Sequence, residues 1–513
     1  MSLGTAFWPE RTGERLLLAV LVLFPFLALG TPPLFDLDEG AFTASTTEMF
    51  LRGDFLSSYL LGEPRHDKPI LIYWLQAASV SLLGSSEFTW RLPSALASSL
   101  WILATYGFVS RVRERQAGLA AALIIATAAG LTIITRAATA DALLNLWLAC
   151  AGYATWLWLR EGERRWLYLA WLAMALGFLT KGPIALVIPG GALLLWCATR
   201  GRWRAFFSWA LAPGPILLFL AVAVPWFAIQ TWHEGSGFLT GFFLKHNLSR
   251  FDTPMEGHGG QPFYYVPVVL LSLLPHTALL LVALTRLKAV WRDELLRFGL
   301  LWFLLAFVVF SFSGTKLPHY VYYGYGGLVL ILVSQIEHQA TRWLLAITGA
   351  LTFGLLLALP SLLEQALPKL SPDDLLLAQD LGSHFGSGYW LWCGAALIIS
   401  LLPLLLRALT TRFALYGNGL IAAIALAFFL LPIVGQVQQE PVKKAGLLAR
   451  TLPGPLLLHA INTPSFQTYA GRRVGKRQPR TGDLVLTRES HLAELPANEV
   501  VFRERSYVLA RLK

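Results

Sequence analysis

Residues 16–40 read LLLAVLVLFPFLALGTPPLFDLDEG, a long apolar run that ends in three carboxylates. A helix needs roughly 20 mostly apolar residues to cross a bilayer, and the segment 16–34 has that length and character. A signal peptide would also pair an arginine-containing start with an apolar core, but Pro32-Pro33 and an acidic stretch stand here in place of a small-residue cleavage site. We therefore predict an uncleaved first membrane helix with an acidic outer end.

The composition indicates that this helix is one of many. The chain has 513 residues, of which 56% are hydrophobic and only 14% are charged, whereas soluble domains carry about 25% charged residues. This excludes a soluble globular enzyme and predicts a mostly α, polytopic membrane protein of about 13 transmembrane helices. The further apolar blocks lie near 92–110, 117–134, 140–159, 166–179, 183–199, 206–229, 263–285, 298–313, 320–336, 343–362, 389–406 and 413–434.

The distribution of charge predicts the orientation of these helices. With the N-terminus on the cytoplasmic side, the inner segments hold 18 basic and 8 acidic residues, whereas the outer loops before residue 435 hold 10 basic and 16 acidic ones. Basic residues concentrate in the cytoplasmic loops of membrane proteins. The net charge of +11 is therefore explained by orientation and by a basic tail, and it does not indicate a nucleic-acid partner.

The two longest outer segments before the tail, 35–91 and 230–262, and the tail itself lie outside the apolar blocks. The outer loop 35–91 is too polar to span a membrane, and its apolar residues recur at helical spacing over 40–60, which indicates a helix lying in the interface. From residue 435 onward the apolar segments are short and broken, as strands are. We predict a transmembrane domain over 1–434 and a small outer α/β domain over 435–513, with strands near 455–461, 483–487 and 498–502.

The outer loop begins with Asp36-Leu37-Asp38-Glu39, which places three carboxylates beside the first helix. A charge at the edge of the hydrocarbon is costly, and for that reason it indicates a function. Such carboxylates could accept a proton from an acceptor hydroxyl or hold a divalent cation. The alternative is an acidic cap that stabilises the first turn of the next helix.

A second polar run in the same loop is Arg65-His66-Asp67-Lys68-Pro69. Neighbouring Arg and Lys side chains are a natural phosphate site, because Arg forks onto oxygens and Lys acts as a point charge. His66 and Asp67 could ligate a metal, although one such pair is a weak signal. The alternative is a solvated turn that ends at the proline.

Further charges lie at the predicted outer ends of later helices. Each of them has a structural alternative, as a helix cap, as a charge at a helix C-terminus or as a contact with lipid headgroups. Together they place acids and bases on one face of the membrane, which suits a site for an anionic lipid substrate. These residues are Asp141, Lys181, Arg250 and Lys316.

Taken in order, the motifs resemble the aminoarabinose transferase (polymyxin-resistance) branch of the protein O-mannosyltransferase superfamily, whose members are GT-C-type integral membrane glycosyltransferases. The resemblance covers roughly residues 10–340. It is carried by the ordered set Asp38-Glu39, Asp67-Lys68-Pro69, Thr135-Arg136 to Asp141, Leu179-Thr180-Lys181-Gly182-Pro183, Pro225-Trp226-Phe227, Asn247-Leu248-Ser249-Arg250-Phe251 and Lys316-Leu317-Pro318-His319-Tyr320.

The resemblance implies a reaction and a location. A sugar, either 4-amino-4-deoxy-L-arabinose or a related one, would leave a polyprenyl carrier such as undecaprenyl phosphate with inversion of its anomeric carbon. The acceptor would be a lipid such as lipid A, at the periplasmic face of a bacterial inner membrane. A protein O-glycosyltransferase of the same superfamily and a transporter of polyprenyl-linked lipid are the alternatives.

The resemblance also implies which residues act. The catalytic candidates are Asp38 and Glu39, with Asp38 activating or orienting the acceptor. No cofactor is certain, and Asp67 and His319 are weak candidates for ligands of a divalent metal. The substrate-binding candidates, which would hold the carrier phosphate and line the sugar cavity, are Lys68, Arg65, Asp141, Arg250, Lys316 and Tyr320.

Two stretches depart from the family's pattern. The family usually has Asp-Glu-x-Arg-Tyr, where this chain ends the motif with Ala41 and Phe42, and it often has Tyr-Phe-Glu-Lys-Pro-Pro, where this chain has RHDKPI over 65–70. One basic residue is lost beside the acidic motif, and another is gained at Arg65. The phosphate chemistry survives this exchange, whereas the identity of the sugar and of the acceptor does not follow from it.

Overall fold

The computed structural model describes residues 11–248, 260–406 and 408–513. The chain is mostly helical, as its composition predicts. Seven helices in the described part are long and apolar enough to cross a membrane, which makes this a multi-pass membrane protein. They are Glu87–Val112, Asp141–Glu161, Pro213–Glu234, Glu294–Ser311, Gln339–Lys369, Ser387–Leu405 and Thr411–Gln438.

Shorter and broken helices make up the rest of the bundle. The predicted block 263–285 is not one straight span, because the helix pair Pro262–Ser272 and Thr277–Thr285 is bent by 120°. Pro275 lies in this break, where a proline cannot donate a helical hydrogen bond. The count of about 13 spans stays a prediction. The remaining α-helices are Thr12–Leu23, Asp38–Arg52, Leu71–Leu83, Arg115–Thr127, Ala129–Ile134, Arg164–Lys181, Ile184–Arg200, Trp203–Ala210, Ser236–Leu239, Leu287–Arg292, Tyr325–Val333, Pro372–Leu377, Glu440–Ala449 and Ser465–Ala470.

Tight packing around Trp302 fixes the position of the 3-10 helix Pro318–Gly324. A Cβ atom at Gly152 would lie 2.3 Å from the Trp302 ring, and one at Gly326 would lie 2.6 Å from it. The indole of this fully buried side chain donates a 2.8 Å hydrogen bond to the Tyr323 carbonyl. The 3-10 helix Pro318–Gly324 is thereby held against three helices of the bundle.

The C-terminal part of the chain contains a five-stranded mixed sheet. Its strands are Leu456–Leu458, Val474–Gly475, Leu484–Arg488, Asn498–Glu504 and Tyr507–Leu512. Leu456–Leu458 pairs in parallel with the next two strands in the chain, and Tyr507–Leu512 pairs antiparallel with Leu484–Arg488 and Asn498–Glu504. Three of the strands coincide with the predicted segments. The helix Leu431–Gln438 runs across residue 434, where the sequence placed a domain boundary.

Candidate functional site

A polar cavity of about 270 Å³ lies where the loop 35–91 meets the ends of several long helices. One wall is formed by the start of helix Asp38–Arg52 and by residues 63–68, and another by the 3-10 helix Pro318–Gly324. The cavity brings together residues that are distant in the sequence, and seven of them were candidates. They are Asp38, Arg65, Asp67, Lys68, Asp141, His319 and Tyr320.

Asp38 is the carboxylate of the acidic motif that is exposed to this cavity. It is the first residue of its helix, and its side chain faces the charges of Arg65 and His319. In the part of the chain that the structure describes, its carboxylate has no hydrogen-bonded partner. The lone pairs of Asp38 are therefore open to an incoming group.

Glu39 has the opposite environment, although it is the next residue. Both of its oxygens accept 2.7 Å hydrogen bonds from the guanidinium of Arg91. They also accept hydrogen bonds from the backbone amides of Phe35 and Ala138. Arg91 is itself fully buried and donates to the carbonyls of residues 29, 32 and 33. Breaking a buried pair by removing one partner typically costs several kcal/mol. Glu39 thus fixes the loop that presents Asp38.

The predicted phosphate site consists of two cations that share one carboxylate. Asp67 accepts a 2.7 Å hydrogen bond from Lys68 and a 3.1 Å hydrogen bond from Arg65. Arg65 also donates to the Ala41 carbonyl at 2.6 Å, which ties the basic run to the helix that begins at Asp38. Arg65 and Lys68 bring two positive charges to the cavity against the single charge of Asp67, and Asp38 faces Arg65. An anion that enters the cavity would meet both cations.

Asp141 forms the centre of a second polar group. Its carboxylate accepts 2.6 Å and 2.7 Å hydrogen bonds from Lys181 and the Tyr323 hydroxyl, and His319 lies 3.5 Å away. Lys181 also lies 5.1 Å from the centroid of the Tyr320 ring. Asp141 lines the cavity, and the cation that it holds is Lys181, which the sequence did not single out as its partner.

The other candidates differ in where they lie. Lys316 does not line this cavity, because its ammonium group is buried and donates to the Ser313 carbonyl at 2.6 Å. Arg250 lies outside the described residues. Asp67 is engaged by two cations, and within the described residues no group of three or more His, Cys, Asp or Glu side chains is arranged to hold a metal ion.

A second cavity, largely apolar and of about 420 Å³, meets the polar cavity at two residues. Asp38 and His319 line both cavities. The other walls are mostly hydrocarbon, with Leu29, Ile133 and Leu431 among them. An apolar chain in this cavity would bring a polar headgroup to the carboxylate of Asp38.

The sequence did not predict the two buried partners of the acidic residues. Arg91 is 52 positions from Glu39, and Tyr323 is 182 positions from Asp141. Arg91 falls beside the predicted apolar block 92–110, and a charge at such a position is a signal that could have identified it. Lys181 was noted as a charge at a helix end but was given no role.

Comparison with known proteins identifies this fold as that of an integral membrane glycosyltransferase of the GT-C type. Residues 67–229 match the family described as dolichyl-phosphate-mannose-protein mannosyltransferase. The chain is 31% identical over 370 residues to the undecaprenyl phosphate-alpha-4-amino-4-deoxy-L-arabinose arabinosyl transferase of Pseudomonas paraeruginosa, covering 70% of this chain and 67% of that protein. The chain belongs to this aminoarabinose transferase family, as the motifs predict.

Other comparisons agree with this assignment. The enzyme of the same name from Edwardsiella ictaluri is 28% identical over 330 residues, and the match covers 59% of its length. The crystal structure of ArnT from Cupriavidus metallidurans bound to undecaprenyl phosphate superposes with a TM-score of 0.80 at 21% identity, over 98% of both chains. The apo Archaeoglobus fulgidus oligosaccharyltransferase has a TM-score of 0.51 at 13% identity, over 91% of this chain and 65% of that one, so the likeness is one of fold.

Proposed function

We propose that this chain transfers 4-amino-4-deoxy-L-arabinose, or a related sugar, from undecaprenyl phosphate to lipid A at the periplasmic face of a bacterial inner membrane. The observation that carries the proposal is the meeting, at Asp38, of an apolar cavity and a polar cavity that contains Lys68 and Arg65. A polyprenyl-phosphate sugar has matching parts, namely a hydrocarbon chain, an anionic group and a polar sugar. The names of the relatives supply the sugar and the carrier.

The cationic pair Lys68 and Arg65 is proposed to hold the phosphate of the donor. Lys68 is buried, so its charge interacts strongly with an anion that enters the cavity. As the bond between sugar and phosphate breaks, the leaving phosphate gains negative charge. Cations already fixed in place stabilise that charge without reorganising, so they lower the barrier more than they tighten ground-state binding.

Asp38 is proposed to act on the acceptor. Its carboxylate accepts the proton of an acceptor O–H group while that oxygen attacks the anomeric carbon. The new C–O bond forms on one face as the C–O bond to the phosphate breaks on the other, and undecaprenyl phosphate leaves with the bonding electrons. One such displacement inverts the anomeric carbon, which agrees with the inversion implied by the family.

Asp141, Lys181 and Tyr320 are proposed to form the far wall of the sugar cavity. Asp141 holds the Lys181 ammonium at 2.6 Å, and the Tyr320 ring lies beside that ammonium. This fixes a cation across the cavity from Lys68. Glu39 is proposed as a positioning residue, because Arg91 and two amides already occupy its oxygens.

We also propose that about 13 helices cross the membrane, with the N-terminus in the cytoplasm and the domain over 435–513 in the periplasm. The candidate residues Asp38, Asp141 and Lys181 lie at one end of the bundle. Arg111 pairs at 2.9 Å with Glu161, the last residue of the helix that begins at Asp141, and Arg200, the last residue of helix Ile184–Arg200, pairs with Glu294 at 2.5 Å. Basic residues favour the cytoplasmic side.

Reporter fusions test this orientation. A periplasmic reporter joined after residue 436 should be active, and a cytoplasmic reporter at the same position should be silent, because the C-terminal sheet is expected outside. Fusions in the turn around Arg113 should give the reverse pattern. If both patterns were exchanged, the candidate site would face the cytoplasm and the proposed use of a periplasmic acceptor would be wrong.

The acceptor is tested by mass spectrometry of lipid A and of envelope proteins from cells with and without the gene. Lipid A should lose the mass of one sugar unit when the gene is deleted, and a wild-type copy, but not an Asp38→Asn copy, should restore it. The family description names a protein mannosyltransferase, so loss of sugar from protein with unchanged lipid A would support a protein O-glycosyltransferase instead.

A further inference from the structure

The acidic loop is in direct contact with the C-terminal part of the chain. Ser465 donates two hydrogen bonds to the carboxylate of Asp36, one from its hydroxyl at 2.5 Å and one from its backbone amide at 2.9 Å. The two residues are 429 positions apart, and Asp36 lies two residues before Asp38. The C-terminal domain therefore touches the segment that presents the proposed catalytic carboxylate.

The packing at Gly40 shows how close this contact is. A Cβ atom at Gly40 would lie 1.8 Å from the Asp36 carboxylate and 2.7 Å from the Ser465 amide nitrogen. Any residue larger than glycine would displace one of them. Gly40 lies in the first turn of helix Asp38–Arg52, so the contact between Asp36 and Ser465 packs directly against the start of this helix.

Further hydrogen bonds join helix Ser465–Ala470 to helix Asp38–Arg52. The hydroxyls of Thr468 and Thr43 are 2.9 Å apart, and the Gln467 amide donates to the Ala44 carbonyl at 3.1 Å. Both contacts lie more than one turn beyond Asp38. They hold the C-terminal domain against helix Asp38–Arg52, whereas the Asp36 contact holds the loop that precedes this helix.

We propose that Ser465 and Asp36 are positioning residues that set the orientation of Asp38 towards the acceptor, so that the C-terminal domain is a working part of the transferase site. Asp36 lines the apolar cavity and also a third, polar cavity of about 520 Å³ beneath the C-terminal domain. Asp36 and Asp38 thus line the same apolar cavity. This inference rests on the proposed role of Asp38 in sugar transfer.

The pH dependence of stability distinguishes a role of Asp36 in catalysis from a role in folding. Burial raises the pKa of Asp36 from its ordinary value of 3.8 to about 7, helped by the nearby Glu39 carboxylate and opposed by the Ser465 hydrogen bonds. Arg91 pairs with Glu39, and Tyr507 faces Asp36 from the last strand. Because the folded-state pKa is the higher one, the stability from protonated Asp36 is complete below about pH 4 and is lost as the pH rises to about 7.

The test compares purified full-length wild-type protein with Asp36→Asn, Ser465→Ala and Gly40→Ala, with Thr468→Val as the control that removes a hydrogen bond of the same interface. Displacements of about 1 Å can cost a hundred-fold in rate. The first three variants should lose about ten- to a hundred-fold in turnover, and Thr468→Val should stay within about two-fold of wild type. Undecaprenyl phosphate should still bind every variant at the wild-type stoichiometry, because Lys68 and Arg65 are untouched.

Thermal unfolding of the same proteins completes the test. Asp36→Asn should be at least as stable as the wild type at pH 8. Its stability relative to the wild type should increase as the pH rises from 4 to 7. Its turnover should nevertheless be slow. A variant that is less stable at pH 8 and has normal turnover would assign Asp36 to stability alone. Normal turnover in both Asp36→Asn and Ser465→Ala would overturn the inference while the proposed function stands, whereas a wild-type protein that transfers no sugar would overturn both.

Discussion

Asp38→Asn should lower turnover by about a hundred- to ten-thousand-fold, the usual range for removal of a general base. The substitution keeps the shape of the side chain and removes the charge that faces the acceptor side of the cavity. Folding should be little affected, because in the described part of the chain no hydrogen bond depends on this carboxylate. Binding of undecaprenyl phosphate should be largely retained, since Lys68 and Arg65 remain in place.

The control for this prediction is Asp380→Asn, measured in the same purified assay. Asp380 is exposed, lies outside the cavities described above and has a φ of 60°, a backbone conformation that Asn tolerates well. Its turnover should match that of the wild type. Near-normal turnover of Asp38→Asn would show that the assignment is wrong, and it would direct attention to Asp36 in the same loop.

Lys68→Ala should lower the rate at limiting donor by about ten- to a hundred-fold, because a hydrogen bond to a charged group contributes roughly 1.5–3 kcal/mol. If the interaction strengthens as the phosphate leaves, the loss appears in kcat; if it is uniform binding, the loss appears in KM alone. Arg65 still pairs with Asp67 in the variant, so the carboxylate is not left alone. Arg250→Ala is expected to act in the same direction.

Product competition measures the same contact independently. Free undecaprenyl phosphate should compete with the donor in the wild type and much less in Lys68→Ala. Lys444→Ala is the control, because Lys444 forms an exposed ion pair with Glu504 in the C-terminal part of the chain, outside the cavity that contains Lys68. Equal competition in the wild type and in Lys68→Ala would show that Lys68 does not hold the phosphate and is only part of a structural turn.

Hydropathy and composition were sufficient to predict that this is a mostly helical, multi-pass membrane protein. The seven long apolar helices and the strands near 456 and 484 follow from local patterns of apolar residues. The break at Pro275 shows the limit of that approach, because hydropathy reports the length of an apolar block and not the angle within it. The number of spans is for this reason less predictable than the fold class.

The site was predictable where its chemistry lies in short motifs. Asp38 and Asp141 were noted as carboxylates at the ends of apolar segments, and Lys68 was noted in a polar run of the loop 35–91. Their roles were implied by the family resemblance and stay proposals, while the fold brings all three to one cavity. What the sequence could not show is which of two adjacent acids is free. Asp38 and Glu39 differ because Arg91, distant in the chain, folds back onto only one of them.

Reconstituted transfer tests the central claim most directly. Purified protein in vesicles that contain lipid A would be given undecaprenyl phosphate carrying a radiolabelled sugar, and the label and the free carrier would be followed together. We expect label to appear on lipid A as one equivalent of undecaprenyl phosphate is released, and we expect both to be slowed by about a hundred- to ten-thousand-fold in Asp38→Asn. Movement of the intact donor across the bilayer without cleavage would contradict the account and indicate a transporter.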